Sequence, residues 1–267
     1  MARVDARKPL FAAEERIAPF LERVRRAPSR VLMLDYDGTL SPFCNDPEKA
    51  APYPEIPPLL ERMRRETDTR LIVVTGRRAA DAARLLGVEG LEIWGSHGLE
   101  RLRPDGSYEM AKIDPRTIGL IADADELLAS EGLAGMAEYK PAGIAIHWRG
   151  REALADETKQ KVMRIWSMLK SRDGLLLAPF DGGMEIRTTT RNKGDAVRAV
   201  MAEAGAGTGA AIAYLGDDLT DEDAFAALTG YGLSVLVRGE YRDTLADVWV
   251  RPPAGVLGFL HAWIAAS

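Results

Sequence analysis

Asp35 and Asp37 stand two residues apart where an apolar run, Val31-Leu32-Met33-Leu34, gives way to Gly38-Thr39. Burying a carboxylate is expensive unless it is paired, so two of them at the end of a buried strand call for a cation or a reaction. A carboxylate that attacks phosphorus forms an aspartyl-phosphate and splits one hard hydrolysis into two easier steps, which is a role for Asp35. Asp37 can then protonate the leaving oxygen and later deprotonate the attacking water. Gly38 permits the tight turn that holds the two acids together.

Three later segments supply what such a reaction needs. Leu71–Val74 is followed by Thr75-Gly76-Arg77. The Thr75 hydroxyl can donate to a phosphate oxygen, and Gly76 lets backbone N–H groups approach the same anion near a helix start. Taken alone, this segment reads better as an ordinary strand-to-helix turn with a capping threonine. Asn192-Lys193-Gly194-Asp195 opens a helix with a lysine, against the helix dipole. Such a local conflict marks a functional position, and the Lys193 ammonium can neutralise both Asp35 and a transferring phosphoryl group. Finally, Ala211–Leu215 runs into Gly216-Asp217-Asp218-Leu219-Thr220-Asp221-Glu222-Asp223, with five acids in the seven positions from Asp217. Repulsion among them calls for a divalent cation, and oxygen ligands favour Mg²⁺. Asp217 is expected as the direct ligand, with Asp218 and Asp221 next. Residues 221–223 also suit a first helical turn, where negative charge is favourable anyway.

The elements that must position these groups alternate along the chain. Val31–Leu34, Leu71–Val74, Leu91–Trp94, Ala211–Leu215 and Leu233–Val237 have the continuous apolar character of parallel strands covered on both faces. Pro57–Glu66, Ala79–Leu86, Gly194–Ala204 and Asp221–Leu228 read as the intervening helices. Between about residues 104 and 187 the rhythm changes to helix, hairpin, helix, hairpin: Asp114–Ser130, Met136–Lys140 with Ile144–Trp148, Glu152–Ser171, and Leu175–Phe180 with Met184–Thr188. The expected fold is therefore α/β, a Rossmann-like parallel-sheet core (1–103 and 188–267) with an inserted α+β cap domain (104–187). The cap is set over the carboxyl edge, where open α/β sheets bind ligands. The glycine loop at 205–209 follows a helix and precedes a strand, the wrong polarity for a dinucleotide fingerprint.

The 267 residues are 46% hydrophobic and 28% charged, the composition of a globular protein, and a net charge of −5 argues against a basic nucleic-acid surface. The single cysteine, Cys44, allows no internal disulfide. No apolar run approaches membrane-spanning length, so the cytoplasm is the expected location. No nucleic-acid, membrane or protein partner is expected. The arginine-rich start with Glu14, Glu15 and Glu22 interspersed suits an amphipathic surface helix.

Together the four segments resemble the haloacid dehalogenase superfamily of phosphatases and, within it, the trehalose-6-phosphate phosphatase family. The matching strings are Asp-Tyr-Asp-Gly-Thr-Leu (35–40), Thr-Gly-Arg (75–77), Asn-Lys-Gly (192–194) and, most discriminating, Gly-Asp-Asp-Leu-Thr-Asp-Glu (216–222). Gly-Ser-His-Gly-Leu-Glu (95–100), the Lys140 strand, His-Trp-Arg (147–149) and Glu-Ile-Arg (185–187) add to them. The resemblance implies Asp35 as nucleophile, Asp37 as general acid/base, Thr75 and Lys193 on the phosphate, and Mg²⁺ held by Asp35, the Asp37 carbonyl and Asp217. It also implies sugar selection by Lys140, Arg149 and Glu185, with His97 and Glu100 at the border of core and cap. Removal of phosphate from trehalose 6-phosphate is the implied activity. The same acids would serve a phosphatase for sucrose 6-phosphate or mannosyl-3-phosphoglycerate, or a phosphosugar mutase.

Overall fold

The computed structural model describes residues 13–180, 182–205, 207 and 209–267. Its strands are β1 (Arg30–Leu34), β2 (Thr69–Val74), β3 (Glu92–Gly95), β4 (Glu100–Leu102), β5 (Tyr108–Met110), β6 (Ala137–Lys140), β7 (Gly143–His147), β8 (Leu175–Phe180), β9 (Gly183–Thr188), β10 (Ala211–Gly216), β11 (Leu233–Val237) and β12 (Val248–Val250). Its helices are α1 (Ala13–Arg26), α2 (Ile56–Glu66), α3 (Ala79–Leu86), α4 (Pro115–Ser130), α5 (Ala155–Met168), α6 (Lys193–Glu203), α7 (Glu222–Leu228) and α8 (Ala254–Ala266).

Two sheets organise the chain. The larger has the order β12-β11-β10-β1-β2-β3-β4-β5 and is parallel from β12 to β3. Strand β1 sits near its middle and alternates faces as a strand must. Leu32 and Leu34 pack with residues of α1, α2, α3 and α8, whereas Val31 and Met33 pack with residues of α6 and α7. The smaller sheet, β6-β7-β9-β8, is wholly antiparallel and packs one face on α4 and α5 around Ile144, Ile146, Val162, Ile165 and Ile186. This is the expected α/β core with an α+β insert.

Several elements depart from the sequence-based expectation. The helix expected over residues 152–171 is a short 3₁₀ turn, Glu152–Leu154, followed by α5, which ends at Met168. A hairpin, β4–β5, extends the large sheet antiparallel beyond β3. The chain therefore leaves the large sheet only after Met110, later than residue 104. Strand β12 and helix α8 were not expected. Helix α8 is apolar on all sides and lacks an N-terminal side-chain cap, so neither periodicity nor punctuation announces it. It is fixed by buried Trp263, whose indole N–H donates to Thr69 Oγ1 at 2.9 Å. The amphipathic N-terminal helix is present as α1, with Phe20 and Val24 buried. Residues 1–12, Asp181 of the second hairpin turn, and residues 206 and 208 of the glycine loop lie outside the described residues. Among the described residues, no helix is long and apolar enough to cross a membrane.

Candidate active site

Three neighbouring parallel strands deliver the acids and the threonine. The Asp35 N–H donates to Leu215 O at 2.8 Å and that of Thr75 to Trp94 O at 2.8 Å, so both residues prolong the ladder by one step. Asp217 follows β10 directly. The carboxyl edge of β10, β1 and β2 thus carries Asp217, Asp35 and Thr75, all buried. Gly38 lies against them with φ +80°, and a Cβ there would come within 2.3 Å of Asp217 Oδ2. Glycine is required both for the turn and for the approach.

Lys193 is the first residue of α6. Asn192 caps the helix by accepting from the Asp195 N–H, while the Asp195 carboxylate accepts from the Asn192 N–H, each at 2.9 Å. The cap fixes where the helix starts, and so where the lysine points. Its Nζ donates to Asp35 Oδ1 at 2.6 Å and to Asp221 Oδ1 at 2.7 Å. All three side chains are buried. Burial opposes the ammonium, but Asp221 and Asp35 outweigh it and hold Lys193 charged well above its ordinary range. Burial raises the Asp35 carboxyl, Lys193 pulls it back and Asp221 raises it again, for a net rise from 3.8 to about 7.

The acidic run separates into distinct tasks. Asp221 accepts from Lys193 and from the Tyr214 hydroxyl (2.6 Å) on Oδ1, and from the Asp217 and Asp218 N–H groups (3.0 and 2.9 Å) on Oδ2. Both oxygens are filled by donors. Asp218 accepts from the Leu219 N–H at 2.7 Å and caps the following 3₁₀ turn. Asp217 is different: it is buried and neither carboxylate oxygen has a hydrogen-bond donor. Burial, then Asp35, Asp221 and Asp218, push its carboxyl well above the ordinary value. Ligand oxygens of Asp35, Asp217 and Asp221 lie within 4.8 Å of one another. A bare, buried carboxylate in a cluster of three acids and one ammonium fits a hard divalent cation. Donors already fill both Asp221 oxygens whereas those of Asp217 are bare, in keeping with the sequence-based order that puts Asp221 behind Asp217.

Asp37 is not free. Arg77 donates Nε to Oδ2 and Nη2 to Oδ1, both at 2.7 Å. Thr75 Oγ1 accepts from the Arg77 N–H at 3.1 Å. Opposite Gly76 stands His97, in the left-handed region with φ 58° beside Ser96 at φ 46°. A Cβ on Gly76 would lie 2.7 Å from His97 Cε1. Two successive non-glycine residues held there indicate a site whose surroundings over-determine the backbone.

The insert closes the other side of a cleft that its residues share with the core. Asp35, Asp37, Gly76, His97, Lys140, Arg149, Glu185, Lys193, Asp217 and Asp218 all line it. Glu185 Oε2 lies 3.1 Å from His97 Nε2 and its Oε1 3.2 Å from Lys140 Nζ. Burial would raise the Glu185 carboxyl, but Lys140, His97 and Arg187 hold it well below the usual carboxylate range. Burial lowers His97 to about 4 against the pull of Glu185, so its ring is neutral near pH 7. Arg149 lies 4.5 Å from the Phe43 ring centroid and donates Nη1 to Cys44 O at 3.3 Å. Glu100 does not line the cleft. It accepts from Ser96 Oγ (2.5 Å), the Ala79 N–H (3.3 Å) and the Tyr108 hydroxyl (3.0 Å), and so fastens the β4–β5 hairpin. Buried Thr75 is likewise absent from the cleft lining, behind Gly76. Glu138, Phe180 and Arg77 line the cleft without having been singled out. Glu138 sits two residues before Lys140 on β6, and that spacing on a strand was the available signal.

A family model described as trehalose-phosphatase matches residues 33–238. The trehalose-phosphate phosphatase of Mycobacterium marinum is 30% identical over 246 residues, covering 87% of this chain and 60% of that protein. A probable trehalose-phosphate phosphatase of Sinorhizobium fredii is 33% identical over 208 residues, covering 75% of this chain and 74% of that one. The chain thus spans about 60% of the length of the mycobacterial relative. The solved C-terminal domain of C. albicans trehalose-6-phosphate phosphatase superposes with a TM-score of 0.80 at 22% identity, covering 94% of this chain and 98% of that one. At that identity the likeness is one of fold.

Proposed function

From a chain that belongs to the trehalose-phosphatase family, we propose a phosphatase that converts trehalose 6-phosphate to trehalose and phosphate through an aspartyl-phosphate on Asp35. The observation that carries this reading is the contact of Lys193 Nζ with Asp35 Oδ1 at 2.6 Å beside the bare carboxylate of Asp217, at the floor of the cleft.

In this reading an Asp35 oxygen bonds to phosphorus as the bond from phosphorus to the sugar oxygen breaks, and Asp37 gives that oxygen its proton. Water then gives a proton to Asp37 while its oxygen bonds to phosphorus. The bond from phosphorus to Asp35 breaks, freeing phosphate and restoring the carboxylate. Lys193 neutralises charge on Asp35 and on the phosphoryl oxygens, and Asp221 with Tyr214 holds the ammonium in place. The Gly76 turn would support the phosphate, with Thr75 holding that turn through its hydroxyl from outside the cleft lining. Asp35, Asp217 and the main-chain carbonyl of Asp37 would hold Mg²⁺, with Asp218 beside them; when bound it supplies charge neutralisation at the phosphoryl group. Lys140, Arg149, Glu185 and His97 would meet the sugar hydroxyls. Glu100 has a structural task instead. Closure of the insert over the core would exclude bulk water. The same reading places the enzyme in the cytoplasm with a small-molecule sugar phosphate as its partner.

Phosphate release from a panel of trehalose 6-phosphate, sucrose 6-phosphate, mannosyl-3-phosphoglycerate and glucose 6-phosphate, with Mg²⁺ or with EDTA, tests this. Trehalose 6-phosphate should give the highest kcat/KM, and EDTA should abolish turnover. A higher kcat/KM for another member overturns the substrate assignment. An isomerised sugar phosphate in place of free phosphate would indicate a mutase.

A further inference from the structure

Arg77 touches the acids, yet the reaction outlined above gives it no task. Its two-point pair with Asp37 is flat and short, the strongest form of side-chain ion pairing. The guanidinium is itself anchored. Nη1 donates to Pro47 O at 2.7 Å, and the Tyr36 ring centroid lies 5.3 Å from its central carbon. The Arg77 side chain is only 12% exposed. Anchors from the strand-end turn and from the loop beyond it exceed what a surface salt bridge needs.

Donation to both oxygens fixes the plane of the Asp37 carboxyl group and leaves each oxygen a lone pair that can accept from a water O–H. We propose that Arg77 is a positioning residue for the second half of the reaction, holding Asp37 as the carboxylate that takes a proton from water while the aspartyl-phosphate is hydrolysed. The proposal rests on the roles given above to Asp35 and Asp37. In that step a water O–H bond breaks and its proton goes to one Asp37 oxygen. The water oxygen bonds to phosphorus, and the bond from phosphorus to Asp35 breaks with its electron pair returning to Asp35. The protonated oxygen of Asp37 releases its hydrogen bond from the guanidinium, and the other oxygen keeps its own and fixes the side chain. In the first half-reaction, an ester whose leaving group departs without a proton asks nothing of Asp37. Loss of Arg77 should therefore spare transfer to Asp35 and slow the hydrolysis that follows.

Stopped-flow release of p-nitrophenolate from p-nitrophenyl phosphate separates the two halves, since this leaving group departs without a proton. With Mg²⁺ present, Arg77→Lys and Arg77→Met should each release one equivalent per chain at about the wild-type rate. A steady state roughly 10- to 100-fold slower than wild type should follow, within the range of general-base effects. The methionine variant should be the slower, because lysine keeps the charge but not the two-point geometry. Slower turnover with no burst, a burst and steady state slowed by one common factor, or unchanged turnover in both variants overturns the proposal. If the wild-type protein releases phosphate from neither this ester nor trehalose 6-phosphate, the functional reading itself has failed. Normal wild-type turnover with no burst in the variants sinks the role of Arg77 alone.

Discussion

Neither oxygen of the buried Asp217 carboxylate meets a donor, although Asp35, Asp221 and Asp218 surround it with negative charge. Such a group destabilises the metal-free protein, and on the reading proposed above a cation would relieve it. Asp217→Asn should therefore raise the melting temperature in EDTA, by about 2–4 °C for each kcal/mol released, and abolish the further rise that Mg²⁺ gives the wild type. Calorimetry of both proteins with and without the ion checks this; an Asn variant that Mg²⁺ still stabilises would contradict it. Asp221 teaches the opposite lesson. In the sequence it is one more acid in a metal-like run, yet in space four donors fill it and make it the anchor of Lys193. Glu100 is similar: its motif suggested a border position at the substrate, and Ser96, Ala79 and Tyr108 claim its oxygens instead. Residue types at strand ends were legible, because a strand's apolar run says where it stops. Which acid meets which donor was not, because partners arrive from segments far away in the chain.

Strands β1, β2 and β10 were legible as elements because each is apolar on both faces and ends in its chemical motif. Helix α8 and the β4–β5 hairpin were not: one lacks a polar face, and the other is two three-residue strands. The hairpin is nonetheless tied to the core. Buried Glu92 on β3 receives Arg70 from β2 (2.8 Å) and Arg101 from β4 (3.0 Å), and Arg101 also pairs with Glu203 at the end of α6 (2.7 Å). This lattice joins the edge of the sheet to the helix that begins with Lys193. Glu92→Ala leaves buried Arg101 short of a partner and should cost about 3–5 kcal/mol in urea unfolding. Turnover at 25 °C should change little, since no chemistry runs through Glu92; a loss below about 1 kcal/mol would show that the lattice is dispensable. The turn at Gly38 is less forgiving. Gly38→Ala combines a left-handed backbone with a contact on Asp217 and should cost about 1–3 kcal/mol together with Mg²⁺ binding.

The whole molecule gathers three carboxylates and one ammonium, with Asp35, Asp217 and Lys193 of this cluster lining a cleft between two sheets, and this arrangement makes its stability depend on pH. In the metal-free protein the Asp35 carboxyl is raised from 3.8 to about 7. Between those values the folded chain keeps a proton that the unfolded chain has lost, so stability from this group falls as pH rises through the window. Cation binding removes that dependence. His97, lowered from 6.5 to about 4, acts in the opposite sense: its stabilisation is lost as pH falls, with or without the ion. The gain in melting temperature on adding saturating Mg²⁺ should therefore grow between about pH 5 and pH 7, with His97 cancelling from the difference. A gain that stays level across that range would contradict the raised carboxyls. The central claim is chemical, and one measurement addresses it directly: mass spectrometry of protein quenched in acid during turnover of trehalose 6-phosphate. A phosphoryl group should be found on the peptide carrying Asp35, should accumulate further in Asp37→Asn, and should be missing from an inactive Asp35→Asn. Steady phosphate release from Asp35→Asn, or from wild-type protein whose Asp35 never carries phosphate, would contradict it.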